Sequence, residues 1–381
     1  MPTYRAPSVQ FVSGAGSWLQ DATGSRYLDL LCGLAVTSLG HAHPRISEAL
    51  AQQANKLTHV SNLFANEHHG PLAEQISQLI GSAGQTFFCN SGAEANECAI
   101  KLARKFGGRG RHVVLSSFGS FHGRTLATLH ATGQPSKHEP FMPMPDGFRH
   151  ASWNDAVSFE AALDPSVAAI LIEPIQGEGG VNPGDREFFQ NLRRLCDERQ
   201  MLLMVDEVQT GFGRCGEWFG FQRYGIEPDV ITMAKALGNG FPIGACWARH
   251  EVAAVFEPGD HGSTFGGQPL AAATARAVLD ELVRIDAPQL ARQIEALVRH
   301  DLDGAPGLRQ IRGAGALLGL ELGAPVAGPV CELLLANGVI ANAVTADTIR
   351  IAPPLNIDPA DLIAGLSTLR SAIATRTQEE T

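Results

Sequence analysis

The sequence predicts an α/β protein, with a mainly parallel central sheet in a large domain and a smaller α+β domain beside it. The first ground is alternation. From residue 86 to residue 248, short apolar runs are separated by stretches of helical periodicity, the order that a sheet with helices on its faces requires. The second ground is capacity: 381 residues, 44% of them hydrophobic and 18% charged, can bury a large core and divide into more than one lobe. The third is a change of scale near residue 300, where long helical patterns give way to shorter strands and helices. The expected division is an N-terminal segment 1–50 that contributes to the small domain, a large domain 51–300 and a C-terminal small domain 301–381.

In chain order, residues 18–21 and 27–30, joined by a turn around Thr23 and Gly24, read as a small antiparallel β element. A loop of small and apolar residues then leads from Gly33 into a helix over 44–57. Strands are expected at 86–89, 112–116, 168–173, 201–206, 230–233 and 245–248, with helices near 93–106, 124–131 and 186–200. Ser91 and Glu94 have capping-box spacing at the start of the helix near 93–106, whose apolar face is Ala95, Ala99, Leu102 and Phe106. Residues 269–300 read as helical, 309–322 as a hairpin pair, 330–336 as a helix and 348–352 as a strand. The closing helix has Asp358 as its cap and Pro359 at its first position.

Composition excludes several function classes. A formal net charge of −10 disfavours nucleic acid or anionic membrane as general partners, so any phosphate is bound locally. The seven cysteines are scattered and form no C-x-x-C pair, which suggests neither a disulfide framework nor a zinc site. His41 with His43, and His68 with His69, lack a nearby carboxylate or thiolate at ligand spacing and read as loop structure; no metal is expected. The first residues carry no continuous apolar segment and no stretch reaches the length of a membrane span, so a cytoplasmic protein is expected.

The chemistry centres on Lys235, which ends an apolar run directly before the glycine-rich turn 238–240. Burial of a lysine stem disfavours the ammonium, as an amine nucleophile that forms a Schiff base requires; the plainer reading is a stem along a strand end with its head in water. Residues 90–97 (NSGAEANE) follow a strand and open a helix, and Gly92 with Ala93 leaves first-turn amides able to hold an anion. This is neither a dinucleotide turn nor a nucleotide phosphate loop, which argues against NAD and ATP and disfavours a dehydrogenase. Residues 121–125 (FHGRT) pair an aromatic plane, Phe121, with a cation, Arg124. Asp206 ends a strand of five apolar residues, where a carboxylate needs a partner such as a protonated ring nitrogen, and Gln209 offers an amide three residues on.

Taken together, these stretches, with residues 173–180 (EPIQGEGG), 205–211 (VDEVQTG), 234–240 (AKALGNG) and 262–267 (GSTFGG), resemble the class III aminotransferases that use pyridoxal 5′-phosphate (PLP), over residues 27–355. The resemblance implies the fold of the type I PLP-dependent transferases. It implies that Lys235 carries the cofactor and moves protons, that Asp206 keeps the pyridine nitrogen protonated, that Phe121 stacks on the ring, that Gln209 bonds its 3-hydroxyl, and that Ser91, Gly92 and Ala93 hold the phosphate. Thr264 in this family reaches the other subunit's cofactor, implying a homodimer with shared active sites, and Ser263 is expected at the substrate. Arg124 would take the distal carboxylate of an acylated diamine and Arg350 the α-carboxylate of L-glutamate or 2-oxoglutarate, with Glu178 pairing Arg350 when the ω-amine is bound. Within the family, residues 33–41, 59–64 and 348–355 resemble members acting on N2-acetyl-L-ornithine, which implies that amine, and Leu34, near where ornithine-specific members tend to carry tyrosine, leaves apolar space for an acyl group. Ornithine, succinylornithine and 4-aminobutyrate are the alternative amines; a binding protein that kept the scaffold without the chemistry is the non-enzymatic alternative.

Overall fold

A computed structural model describes residues 1–379 of the chain. Its centre is a seven-stranded sheet: β1 (Gly84–Cys89), β2 (Val113–Ser117), β3 (Phe148–Ala151), β4 (Val167–Ile172), β5 (Leu202–Asp206), β6 (Val230–Met233) and β7 (Gly244–Arg249), in spatial order β1-β7-β6-β5-β4-β2-β3. Strands β2 to β6 run parallel, and β7 lies antiparallel between β6 and β1. Six of these strands lie where the apolar runs put them. β3 was not expected: it is a four-residue edge strand whose middle residues, Arg149 and His150, are polar and half-buried, too short to show a period.

The apolar strands serve two cores at once. Successive side chains of a strand point to opposite faces. Leu202 and Met204 of β5 therefore join the cluster holding Val114, Leu171 and Val230, while Leu203 and Val205 join the larger cluster with Ile170, Ile231 and Phe189. Each such side chain contributes about 1.5–3 kcal/mol on burial, so a strand with no polar face is stable only with helices on both sides. On the first face lies α1 (Gly92–Gly107). Its residues Ala95, Ala99 and Leu102 are buried as expected, together with Cys98 and Ala103, but Phe106 is exposed, because the cluster that covers the helix ends at Ala103. The helical stretch expected over 269–300 is two helices, Pro269–Arg284 and Ala287–Leu302, broken at Asp286, which adopts φ +52° and caps Gln289 N.

The two ends of the chain meet. Strands Phe11–Ala15, Trp18–Asp21 and Arg26–Asp29 form an antiparallel ribbon whose last strand pairs in parallel with Val339–Ile340. The hairpin Leu308–Ala314 with Leu317–Leu322 continues into Thr348–Ile351 and Asn342–Ala343, and the closing helix Pro359–Glu379 is capped by Asp358, which accepts from Ala360 N at 2.8 Å. No helix of the described residues is long and apolar enough to cross a membrane, and the seven cysteines are all free thiols.

Strand β7 starts against the cap of α1. A Cβ placed on Gly244 would lie 2.4 Å from the Ser91 carbonyl oxygen and 2.9 Å from Cys89 Sγ. Gly244→Ala is therefore expected to lower the unfolding free energy by about 1–3 kcal/mol, as overpacking does. Urea denaturation would show the loss as a reduced midpoint, and an unchanged midpoint would contradict this close packing.

Candidate active site

The carboxyl ends of parallel strands are where an α/β sheet leaves backbone and loops free to surround a ligand. Here the segments following β1, β2, β4, β5 and β6 converge on a cavity of about 390 Å3, whose walls include residues 90–93, 121–124, Glu173, Glu178, Asp206, Val208, Gln209 and Lys235. Nine of the expected residues thus line one space: Ser91, Gly92, Ala93, Phe121, Arg124, Glu178, Asp206, Gln209 and Lys235.

Lys235 lies two residues beyond β6 and opens the short 3-10 turn Lys235–Leu237 with φ +38°, a conformation that L-residues other than Asn and Asp rarely adopt. Burial pulls its amine down to about 8, against the charge of Glu178 and with that of Arg350. Asp206 is 4% exposed and held by three donors: Oδ2 accepts from His122 Nδ1 and Asn96 Nδ2, both at 2.8 Å, and Oδ1 from Val208 N at 3.0 Å. The start of α1 is open to the cavity. Ser91 Oγ accepts from Glu94 N at 3.2 Å, while Glu94 Oε2 reaches back to Asn90 N at 3.0 Å, one residue earlier than the expected capping box. Gly92 packs on Val208, whose Cγ2 would be 2.8 Å from an added Cβ.

On the other side stands Arg350, from the strand Thr348–Ile351. It is fully buried; Nη1 donates to Glu178 Oε1 at 2.5 Å and to Gln209 Oε1 at 3.2 Å, Nε donates to Asn342 Oδ1 at 3.2 Å, and Nη2 has no partner among the described residues. Burial alone would raise the Glu178 carboxyl, but the Arg350 guanidinium overrides it and leaves the acid below its usual range. Arg124 is exposed, with its guanidinium 5.5 Å from the Phe121 ring centroid.

Ser263 and Thr264 are not in this cavity. They line a neighbouring cleft with Asn90, Glu94 and His261, where Ser263 Oγ accepts from Asn90 Nδ2 at 3.2 Å and from Gly266 N at 3.0 Å. Asn90 borders both spaces.

Several residues carried no separate signal in the sequence. His122 and Asn96 hold Asp206, and no spacing rule links positions 96, 122 and 206. Glu173 lines the cavity and accepts from Phe121 N at 3.0 Å; burial, reinforced by the charge of Asp206, pushes its carboxyl well above the usual range. Glu207 points away from the cavity, where burial pushes it up to about 7 although Gly220 N, Phe221 N and the Thr210 hydroxyl all donate to it. The loop before residue 44 winds through a left-handed turn, Cys32–Ala35 with φ from +54° to +71°. The Asp29 carboxylate caps the amides of Leu31 and Cys32, and Val36 joins the cavity wall.

Residues 2–373 match the family described as aminotransferase class-III. An acetylornithine aminotransferase of Gloeobacter violaceus is 48% identical over 98% of this chain and 95% of its own length, and one of Corynebacterium efficiens is 46% identical over 98% and 94%. Among solved structures, the ornithine aminotransferase of Toxoplasma gondii ME49 superposes with a TM-score of 0.93 at 32% identity, over 100% of this chain and 93% of that one. The N-acetylornithine aminotransferase of Stenotrophomonas maltophilia K279a gives 0.86 at 36% identity, over 99% and 98%.

An amine near 8 instead of 10.5 leaves roughly 300-fold more free base at neutral pH, since each unit is a factor of ten. In cofactor-free protein, Lys235 is expected to condense with a small aldehyde at a rate that rises with pH and levels off just above 8. A profile still climbing to pH 10 would contradict the environment assigned to it.

Proposed function

Because the chain belongs to the class-III aminotransferases, we propose that it exchanges the δ-amino group of N2-acetyl-L-ornithine with 2-oxoglutarate, giving N-acetylglutamate 5-semialdehyde and L-glutamate, or the reverse in arginine synthesis. The protein is a PLP-dependent transaminase of fold type I. The residues present suit that cofactor: open helix-start amides for a phosphate, a buried acid for a ring nitrogen and a lysine amine near 8 for an aldehyde. When bound, PLP supplies an aldehyde that exchanges amines and a ring that accepts the electrons released at the substrate carbon.

In this reading Lys235 Nζ would hold the cofactor and would take up and return the substrate's proton, a role that suits an amine near the working pH. Asp206 would accept a hydrogen bond from the ring nitrogen. Gly92 and Ala93 amides with Ser91 would take the phosphate, Phe121 would cover one ring face and Gln209 would bond the 3-hydroxyl. Thr264 and Ser263, set outside the cavity, serve the site of a second copy. The exposed apolar side chains Leu63, Phe64 and Phe265 support such a homodimer, because large apolar groups in water favour a partner. We further infer that residues 1–50 and 301–381 work as one small domain against the body 51–300, a division that the pairing of Val339 with Leu28 supports.

The observation that carries the substrate reading is the ion pair of Arg350 with Glu178. A fully buried guanidinium needs a counter-ion. Glutamate brings one as its α-carboxylate, whereas the δ-carbon of acetylornithine carries none beside the reacting amine, so Glu178 supplies it and yields when glutamate enters. Arg124, with no acidic partner among the described residues, remains for the distal carboxylate.

Lys235→Ala should bind PLP yet lose at least a thousandfold in kcat, as removal of a group acting in both covalent and proton-transfer roles does; near-normal turnover in steady-state assays would refute the role. Glu178→Ala should shift the ratio of kcat/KM values towards glutamate by about tenfold or more, the worth of a charge-assisted bond. Single-turnover half-reactions with acetylornithine and with glutamate measure that ratio, and an unchanged value would exclude the gate.

A further inference from the structure

The donors that surround Asp206 define a role for His122. A carboxylate offers about four acceptor directions, two on each oxygen. His122 Nδ1 and Asn96 Nδ2 use both directions of Oδ2, and Val208 N uses one of Oδ1. One direction is left, on Oδ1.

Neither donor side chain can turn away. Asn96 Nδ2 also donates to the His122 carbonyl at 2.8 Å, and its Oδ1 accepts from the Thr232 hydroxyl at 2.7 Å. The His122 backbone amide donates to Thr132 Oγ1 at 2.9 Å. The His122 ring is fully buried and its Nε2 has no hydrogen-bond partner among the described residues. A hydrogen on Nε2 would be buried without an acceptor, whereas one on Nδ1 meets a carboxylate, so the ring is an Nδ1–H donor.

We propose that His122 is a positioning residue for the transamination. Its Nδ1–H fixes the Asp206 carboxylate so that the single open acceptor direction of Oδ1 serves the cofactor's ring nitrogen. This rests on the PLP reading above. Asp206 alone could rotate about its side-chain bonds and present either oxygen. With His122 and Asn96 on Oδ2, only one orientation keeps every donor satisfied. His122 touches neither cofactor nor substrate in this account; it acts through Asp206.

The test compares wild-type holoenzyme with His122→Leu and His122→Asn, the latter keeping an amide donor close to the place of Nδ1. His122→Leu should raise the dissociation constant for PLP roughly tenfold or more, the loss expected for a hydrogen bond to a charged group, and move the visible absorbance maximum of the bound cofactor. His122→Asn should bring both values back towards wild type. Leucine values equal to wild type, or an asparagine variant no better than leucine, would overturn the proposal. If the leucine variant does not fold, the 15N shifts of the His122 ring in the wild-type protein decide: protonation at Nδ1 is expected, and protonation at Nε2 overturns it. Failure of the wild-type protein to bind PLP would instead overturn the cofactor reading, a result distinguishable from either variant outcome.

Discussion

The arrangement depends on a carboxylate placed where water is scarce. β5 is apolar until Asp206, and an ionised acid at a buried strand end costs several kcal/mol unless polar groups replace its hydration. The replacements come from three separate stretches: Asn96 of α1, His122 after β2 and the amide of Val208 just downstream. Satisfying one acid therefore pins the start of α1 and the FHGRT segment against the same edge of the sheet. Ser91, Gly92 and Ala93 reach the cavity on α1, while Phe121 and Arg124 reach it beside His122. One buried acid thus sets the shape of its surroundings.

A second buried charge joins the chain's later part to this centre. Arg350 comes from the C-terminal sheet and crosses to Glu178 and Gln209, which belong to loops of the central sheet. The two sides of the pair differ in freedom. Arg350 is fully enclosed and tied through Nε to Asn342, whereas Glu178 is 30% exposed on a loop with Gly177, Gly179 and Gly180 around it. The acid is the more exposed partner and the arginine the tied one, the asymmetry that the proposed switchable counter-ion requires. Arg214, also fully buried, is a purely structural counterpart. It donates to the carbonyls of Ala316 and Pro353 and to Ser38 Oγ, holding three distant segments without any carboxylate.

Local pattern was legible where one physical rule dominated. Continuous apolar runs located six strands of the central sheet, because burial on both faces leaves no room for polar alternation. The Ser91 cap was readable for a similar reason: its hydroxyl and its helix are adjacent in sequence. Illegible features were those set by distant neighbours. The left-handed turn at Cys32–Ala35 uses, beside Gly33, three residues with no preference for it and survives through Asp29 and its packing. Phe106 keeps the helical period yet is exposed, because period says which face a residue lies on and nothing about where the covering layer ends. Ser263 and Thr264 sit near the other motifs' space but in a different cleft, a distinction that no spacing encodes.

The sequence by itself determined six strands of the central sheet, the cap of α1, the lysine at the end of β6 and the acid at the end of β5, since each depends on side chains within a few positions of one another. It also carried the family, through ordered motifs along nearly the whole chain. Only the tertiary structure decided that His122 and Asn96 hold Asp206, that Arg350 meets Glu178 across 172 positions, and that Lys235 lies in surroundings that lower its amine. Hydration, burial and charge pairing act through space. Their strengths follow distances and solvent access that exist only once the chain has closed on itself.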